Sequence, residues 1–199
     1  MTDAKIITDE ALDLLFREAR THKSWLDKPV SDSLLQAVYE LAKLGPTANN
    51  GQPMRIVFVK SPEAKERLKP YLDESNVEKV MTAPVTAIIA YDLEFYNHLD
   101  KLNPHAPAGA AARFEGRDNT NWLLRNSSLG GAYFMMAARA LGLDCGPMSG
   151  FKMGGVTEEF FGKDKPYKAN FLCNLGYGDK SKLHPRGPRL SFDDACVIL

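Results

Sequence analysis

Cysteine is scarce and follows no pattern. Three occur in 199 residues (Cys145, Cys173 and Cys196), an odd number with wide gaps and no Cys-x-x-Cys pair. That spacing supports neither a disulfide framework nor a zinc site, and the three read as small core residues that stay reduced. The four histidines, His22, His98, His105 and His184, are equally scattered and contain no His-Glu-x-x-His, so no metal is expected. An excess of one charge is missing too: 25 basic and 25 acidic side chains leave the chain formally neutral, which argues against a broad nucleic-acid-binding surface. No run approaches the roughly 18 apolar residues that a membrane span needs. The N-terminal Met-Thr-Asp-Ala-Lys lacks the charged-then-apolar order of a signal peptide. These absences predict a cytoplasmic protein with neither a nucleic acid nor a membrane as partner. The common ligand-binding turns are absent as well. Without Gly-x-Gly-x-x-Gly, a Walker loop or Gly-x-Ser-x-Gly, redox chemistry would need a cofactor held by dispersed contacts.

What is present is the composition of an ordinary globule, 44% hydrophobic and 25% charged, long enough to bury a real core. No repeat or composition break divides it, which predicts one domain over residues 1–199. Thr8 or Asp9 can cap a first helix carrying Leu12, Leu15, Phe16 and Ala19. Ser31 or Asp32 starts a second, ended by Gly45 and Pro46. Ile56–Val59, Val85–Tyr91 and Asn170–Leu175 read as buried strands. Helices are expected from Pro62, which suits a first helical position, over Asn76–Met81, and around Thr157–Phe161. A long helix is expected from Trp122 to Leu141. Its paired Gly130 and Gly131 cost about 1 kcal/mol each relative to Ala, which calls for close backbone approach to another helix or a ligand. An Ala/Pro/Gly-rich loop over 103–118 exceeds the usual connection length and reads as a lid or binding loop. Helices interleaved with a few strands indicate an α+β layer fold.

Four separated places carry candidate chemistry. Arg20-Thr-His-Lys-Ser24 gathers guanidinium, ammonium and hydroxyl groups just past a helix, and Arg suits phosphate through its two parallel donors. Pro46-Thr-Ala-Asn-Asn-Gly-Gln-Pro53 leaves backbone groups and amides free to face something planar and polar. Gly146-Pro-Met-Ser-Gly150 reads as a turn with a free N–H. Lys180–Arg189 places four cations in ten residues. Alone, each also fits an ordinary turn or a solvated charge run.

Taken in order along the chain, these motifs resemble the FMN-dependent nitroreductase family over essentially the full length. The resemblance implies a nitroreductase-like fold with a central, mostly antiparallel sheet flanked by helices, forming an intertwined homodimer with shared active sites. It implies FMN as cofactor and NADH or NADPH as electron donor. Arg20, His22 and Ser24 would lie at the flavin phosphate. Pro46, Thr47, Ala48 and Asn50 would reach the partner subunit's flavin. Asn76 and Lys79 would meet the ribityl chain and pyrimidine edge. The turn Pro147, Met148, Ser149, Gly150 would offer a backbone N–H to N5, and Arg189 with Arg186 would add phosphate contacts. Two positions depart from the family pattern: Thr21, where many members carry a second Arg, and Met54, where an aromatic is usual. Arg20-Thr-His, Ala83-Pro-Val-Thr-Ala, Arg125-Asn-Ser-Ser, Gly146-Pro-Met-Ser-Gly-Phe and Pro188-Arg-Leu-Ser-Phe-Asp-Asp-Ala-Cys are similar to the malonic semialdehyde reductase branch, associated with pyrimidine catabolism. That branch implies reduction of malonic semialdehyde to 3-hydroxypropionate. A broad nitro or quinone reductase and a flavin-binding protein without turnover are the competing readings. The sequence singles out no catalytic residue. Tyr96, Arg113, Arg117 and Arg125, near the 103–118 loop, stand open as proton donor or carboxylate ligand.

Overall fold

The computed structural model describes residues 5–199; the first four residues of the stretch read above for a leader lie outside it. Four strands form one sheet in the order β1-β2-β4-β3: β1 Met54–Val59, β2 Val85–Asp92, β3 Asp144–Met148 and β4 Tyr167–Gly176. All three pairings are antiparallel. Every residue of β2 is buried, so the sheet is covered on both faces. Successive side chains therefore enter opposite cores. Ile89 and Cys173 join Val38 and Phe134 on one side, while Ile88 and Leu172 join Leu68, Val80 and Val156 on the other.

The first core is roofed by α2 (Asp32–Ala42) and α6 (Thr120–Ala140). The second lies under α3 (Pro62–Leu68), α4 (Glu74–Thr82) and α7 (Met153–Phe161). A third cluster, Tyr91, Phe95, Leu99 and Leu123, closes the end of the sheet next to the short α5 (Leu99–Leu102). Local sequence sets the helix starts. Ser31 and Ser61 accept hydrogen bonds from the N–H groups of Leu34 (3.2 Å) and Ala64 (3.1 Å), and Pro62 stands at the first turn of α3.

Three expectations are corrected. The first helix, α1, is only Asp9–Leu12, capped by Thr8, and passes into a π-helical turn over Asp13–Arg17. That wider turn frees carbonyls, and arginines from elsewhere take them: Arg139 donates to Leu15 and Arg186 to Arg17. The segment read as a turn at Gly146–Gly150 begins as strand β3. Its Gly and Pro hide it from strand propensity, but Pro147 is tolerated because β3 is an edge. Beyond that edge Thr21 bridges Cys145, with the His22 N–H donating to the Cys145 carbonyl at 3.0 Å. A Cβ on Gly146 would stand 2.5 Å from the His22 carbonyl oxygen, so only glycine admits this approach. The glycines of α6 close on side chains of the sheet rather than on another helix. A Cβ on Gly131 would meet Phe171 at 2.4 Å, and one on Gly130 would meet Met54 at 3.0 Å.

Candidate functional site

Arg20, Arg186 and Arg189 come from the two ends of the sequence, yet line one cavity of about 380 Å³. Arg139, from the last turn of α6, is a fourth guanidinium in the same wall. The other lining residues, Leu15, Phe16, Ala19, Thr21 and Gly187, include no acid. Among the described residues, the hydrogen bonds these arginines make all go to backbone carbonyls: Arg20 to His184, Arg139 to Leu15, Arg186 to Arg17 and Ala19, Arg189 to Gly187 and Pro188. None of the four takes part in an ion pair among the described residues. Four like charges gathered without a counter-charge repel one another, and a multiply charged anion is the ligand that relieves them.

His22 does not line this cavity. Its ring is buried, with Nε2 3.4 Å from Asp144 Oδ1, and packs so tightly on Gly178 that a Cβ there would stand 1.9 Å from Nδ1. Burial is the largest influence on its pKa and holds it below the usual value; Asp144 opposes this and Arg20 reinforces it. The ring is therefore neutral near pH 7. Among the described residues, Nδ1 and the neighbouring Trp25 Nε1 are buried without a hydrogen-bond partner. Ser24 contributes its carbonyl, which accepts from the Asp179 N–H at 3.0 Å.

Asn76 and Lys79 sit on α4 against the end of β3. Asn76 Nδ2 donates to the Gly150 carbonyl at 2.9 Å, and Lys79 Nζ donates to Asn76 Oδ1 at 2.8 Å. Asp73 N–H also donates to the Gly150 carbonyl, at 3.1 Å. A Cβ on Gly150 would clash with Asn76 Nδ2 and Asp73 Oδ2 at 2.6 and 2.7 Å, so the turn needs glycine to close on α4. Among the described residues, the N–H groups of Ser149 and Gly150 donate to no protein acceptor. Met148 is part-buried in the second core, and Pro147 pairs with Cys173. The arginine cavity, the Thr21–Trp25 segment and the Pro147–Gly150 turn thus border the same edge of the sheet.

Pro46, Thr47, Ala48 and Asn50 do not. Their loop leads into β1 at the opposite edge, three strand spacings or about 14 Å across. The loop is tightly held there. Asn49, Asn50 and Gln52 take left-handed backbone angles (φ 54°, 50° and 39°). Asn126, buried on α6, accepts the Ala48 N–H at 2.7 Å; Asn50 Nδ2 donates to the Leu102 carbonyl at 2.6 Å; and Thr47 Oγ1 accepts from the Gln52 N–H at 3.1 Å. Three residues in strained geometry, over-determined by hydrogen bonds, are characteristic of a functional loop.

Sequence reasoning missed Arg139 and Asn126. Arg139 is the basic residue of a helix's last turn, an ordinary place for a cation, and only the folded chain brings it to Arg20. The nitroreductase family pattern matches residues 16–177. The chain belongs to the nitroreductase family. It is 55% identical over 189 residues to the "Putative NADH dehydrogenase/NAD(P)H nitroreductase" of Ralstonia nicotianae, covering 94% of this chain and 96% of that protein. A like-named protein of Stenotrophomonas maltophilia is 57% identical over 190 residues, covering 94% and 95%. Among solved structures, a protein of Exiguobacterium sibiricum in complex with FMN matches at TM-score 0.82 and 21% identity, over 98% of this chain and 99% of that one. An enone reductase of gut-bacterial fatty acid metabolism matches at TM-score 0.82 and 18% identity, over 98% and 100%. At such identities the likeness is one of fold: the nitroreductase fold, an antiparallel sheet flanked by helices.

Proposed function

We propose that this nitroreductase-family protein is an FMN-dependent NAD(P)H oxidoreductase that reduces malonic semialdehyde to 3-hydroxypropionate. Residues 1–199 would form one FMN-binding domain, acting in the cytoplasm as an intertwined homodimer. The observation that carries the flavin-dependent part of this reading is the set of four unneutralised arginines around one cavity, a donor set matched to the phosphate of FMN. Arg20, Arg139, Arg186 and Arg189 would hold that phosphate. Asn76 orients Lys79, whose charge would lower the cost of negative charge on the flavin's edge, and the N–H groups of Ser149 and Gly150 are free to bind its ring nitrogens. Bound FMN would supply the hydride relay between nicotinamide and acceptor. In the net reaction NAD(P)H is oxidised, the aldehyde carbon gains the hydride and its oxygen gains a proton.

The loop with Pro46, Thr47, Ala48 and Asn50 stands at the other edge of the sheet, which favours its service to a partner's site. Exposed Leu44, Leu129 and Tyr133 nearby support a subunit contact on that face. The substrate rests on the branch motifs. The names of the two relatives favour instead a nitro acceptor, and that is the second reading.

Purified protein is expected to be yellow, and anaerobic NADH or NADPH is expected to bleach the flavin absorbance. The faster reoxidant, malonic semialdehyde or a nitroaromatic, decides the acceptor. Arg20→Ala and Arg189→Ala are expected to purify with little FMN; full occupancy in either would refute its place at the phosphate.

A further inference from the structure

Beside the 103–118 segment lies a partly open cavity of about 180 Å³, room for roughly six water-sized groups. Leu99, Pro107, Ala110 and Phe114 form apolar walls, and the polar groups are Asn49, Asn103, His105 and Arg113, with no acid among the lining residues. Arg113 makes no ion pair and no side-chain hydrogen bond among the described residues, although Glu115 and Asp118 are close by in sequence. Gly109 and Gly116 flank it at φ 75° and 67°, with open space where each Cβ would be. Tyr96, by contrast, is packed edge-on against Phe95 at 5.8 Å, and Arg117 and Arg125 lie outside the cavity wall. Asn49 belongs to the strained loop that leads into β1, so the cavity adjoins the loop expected to face a flavin.

A cavity with a free guanidinium, an imidazole, two amides and no carboxylate suits a small anion. Its volume of about 180 Å³ has room for a three-carbon acid. We propose that Arg113, assisted by His105 and Asn49, binds the carboxylate of the acceptor, so that this cavity selects small carbonyl compounds bearing an acid group. The inference rests on the oxidoreductase reading for the identity of the site, but its test does not require turnover.

The test is calorimetric titration of the protein as purified with 3-hydroxypropionate and with its neutral amide. Wild type is expected to prefer the acid by about tenfold, as charge-assisted hydrogen bonds to a partly exposed guanidinium allow. Arg113→Ala should abolish that preference, Arg113→Lys should keep part of it, and Arg117→Ala, outside the cavity, should keep all of it. A wild type without preference, an Arg113→Ala that retains it, or one that loses acid and amide alike would each overturn the proposal. Malonic semialdehyde turnover is measured separately. Intact acid preference without turnover would refute the assigned reaction while the anion site stands.

Discussion

Gly131 and Gly154 lie in helices but differ in what a methyl group would meet. At Gly131 the added carbon would stand 2.4 Å from Phe171, in a buried contact between α6 and the sheet; at Gly154 nothing lies within 4 Å. Gly131→Ala is therefore expected to cost about 1–3 kcal/mol by overpacking. Gly154→Ala should gain up to about 1 kcal/mol by restricting the unfolded chain. Urea denaturation of the two variants checks both signs. His22 gives a second test, in pH. Its pKa in the fold lies below the ordinary value near 6.5, so the unfolded chain takes up the proton first as pH falls. Stability from this group is complete above about pH 6.5 and is lost as pH drops toward the lowered pKa. The Tm of wild type should fall over that window more steeply than that of His22→Gln; parallel profiles would assign the loss to other groups.

The loop before β1 depends on a helix distant in sequence. Asn126 supplies the oxygen that accepts the Ala48 N–H and anchors itself through Nδ2 on the Trp122 carbonyl at 2.8 Å. Asn126→Ala leaves that N–H unpaired, at a cost of about 1–3 kcal/mol, and should release the left-handed residues Asn49, Asn50 and Gln52. Faster amide exchange at Ala48, with protection in β2 and β4 unchanged, is the expected signature. Elements of this kind divide by how far their causes lie along the chain. Ser31, Ser61 and Pro62 mark their helix starts within four residues, and these were legible in the sequence. So was the buried strand that carries Ile88 and Ile89. Strand β3 was not, because Gly146 and Pro147 are disfavoured in strands and are tolerated here only by an edge whose neighbour comes from residues 21–25. The π-helical turn was hidden for a similar reason, since the arginines that satisfy its carbonyls arrive from α6 and the C-terminal tail. Of the arginines that line the candidate cavity, Arg20, Arg186 and Arg189 were singled out through family resemblance, and Arg139 only by the fold.

The α6 surface carries a further expectation for assembly. Leu129 and Tyr133, four residues apart on α6, are exposed, and Tyr133 packs against Gly45 at the start of the strained loop. The C-terminal Leu190, Phe192, Val197 and Ile198 are exposed as well. Apolar side chains in such number favour a second copy as their cover. Leu129→Arg should shift sedimentation toward monomer and release FMN with it; a monomer that keeps FMN would contradict a shared site.

The separation of the arginine cavity from the strained loop, on opposite edges of one sheet, has a genetic consequence. If each site draws its arginines from one chain and its loop from the other, two different defects need not add. A chain lacking Arg20 and a chain with a disabled loop are each inactive as homodimers. Co-expressed, their mixed dimers would pair an intact Arg20 from one parent with an intact loop from the other, and concentrate both lesions in the second site. About a quarter of wild-type sites should return by random pairing, an instance of complementation between alleles of a single locus.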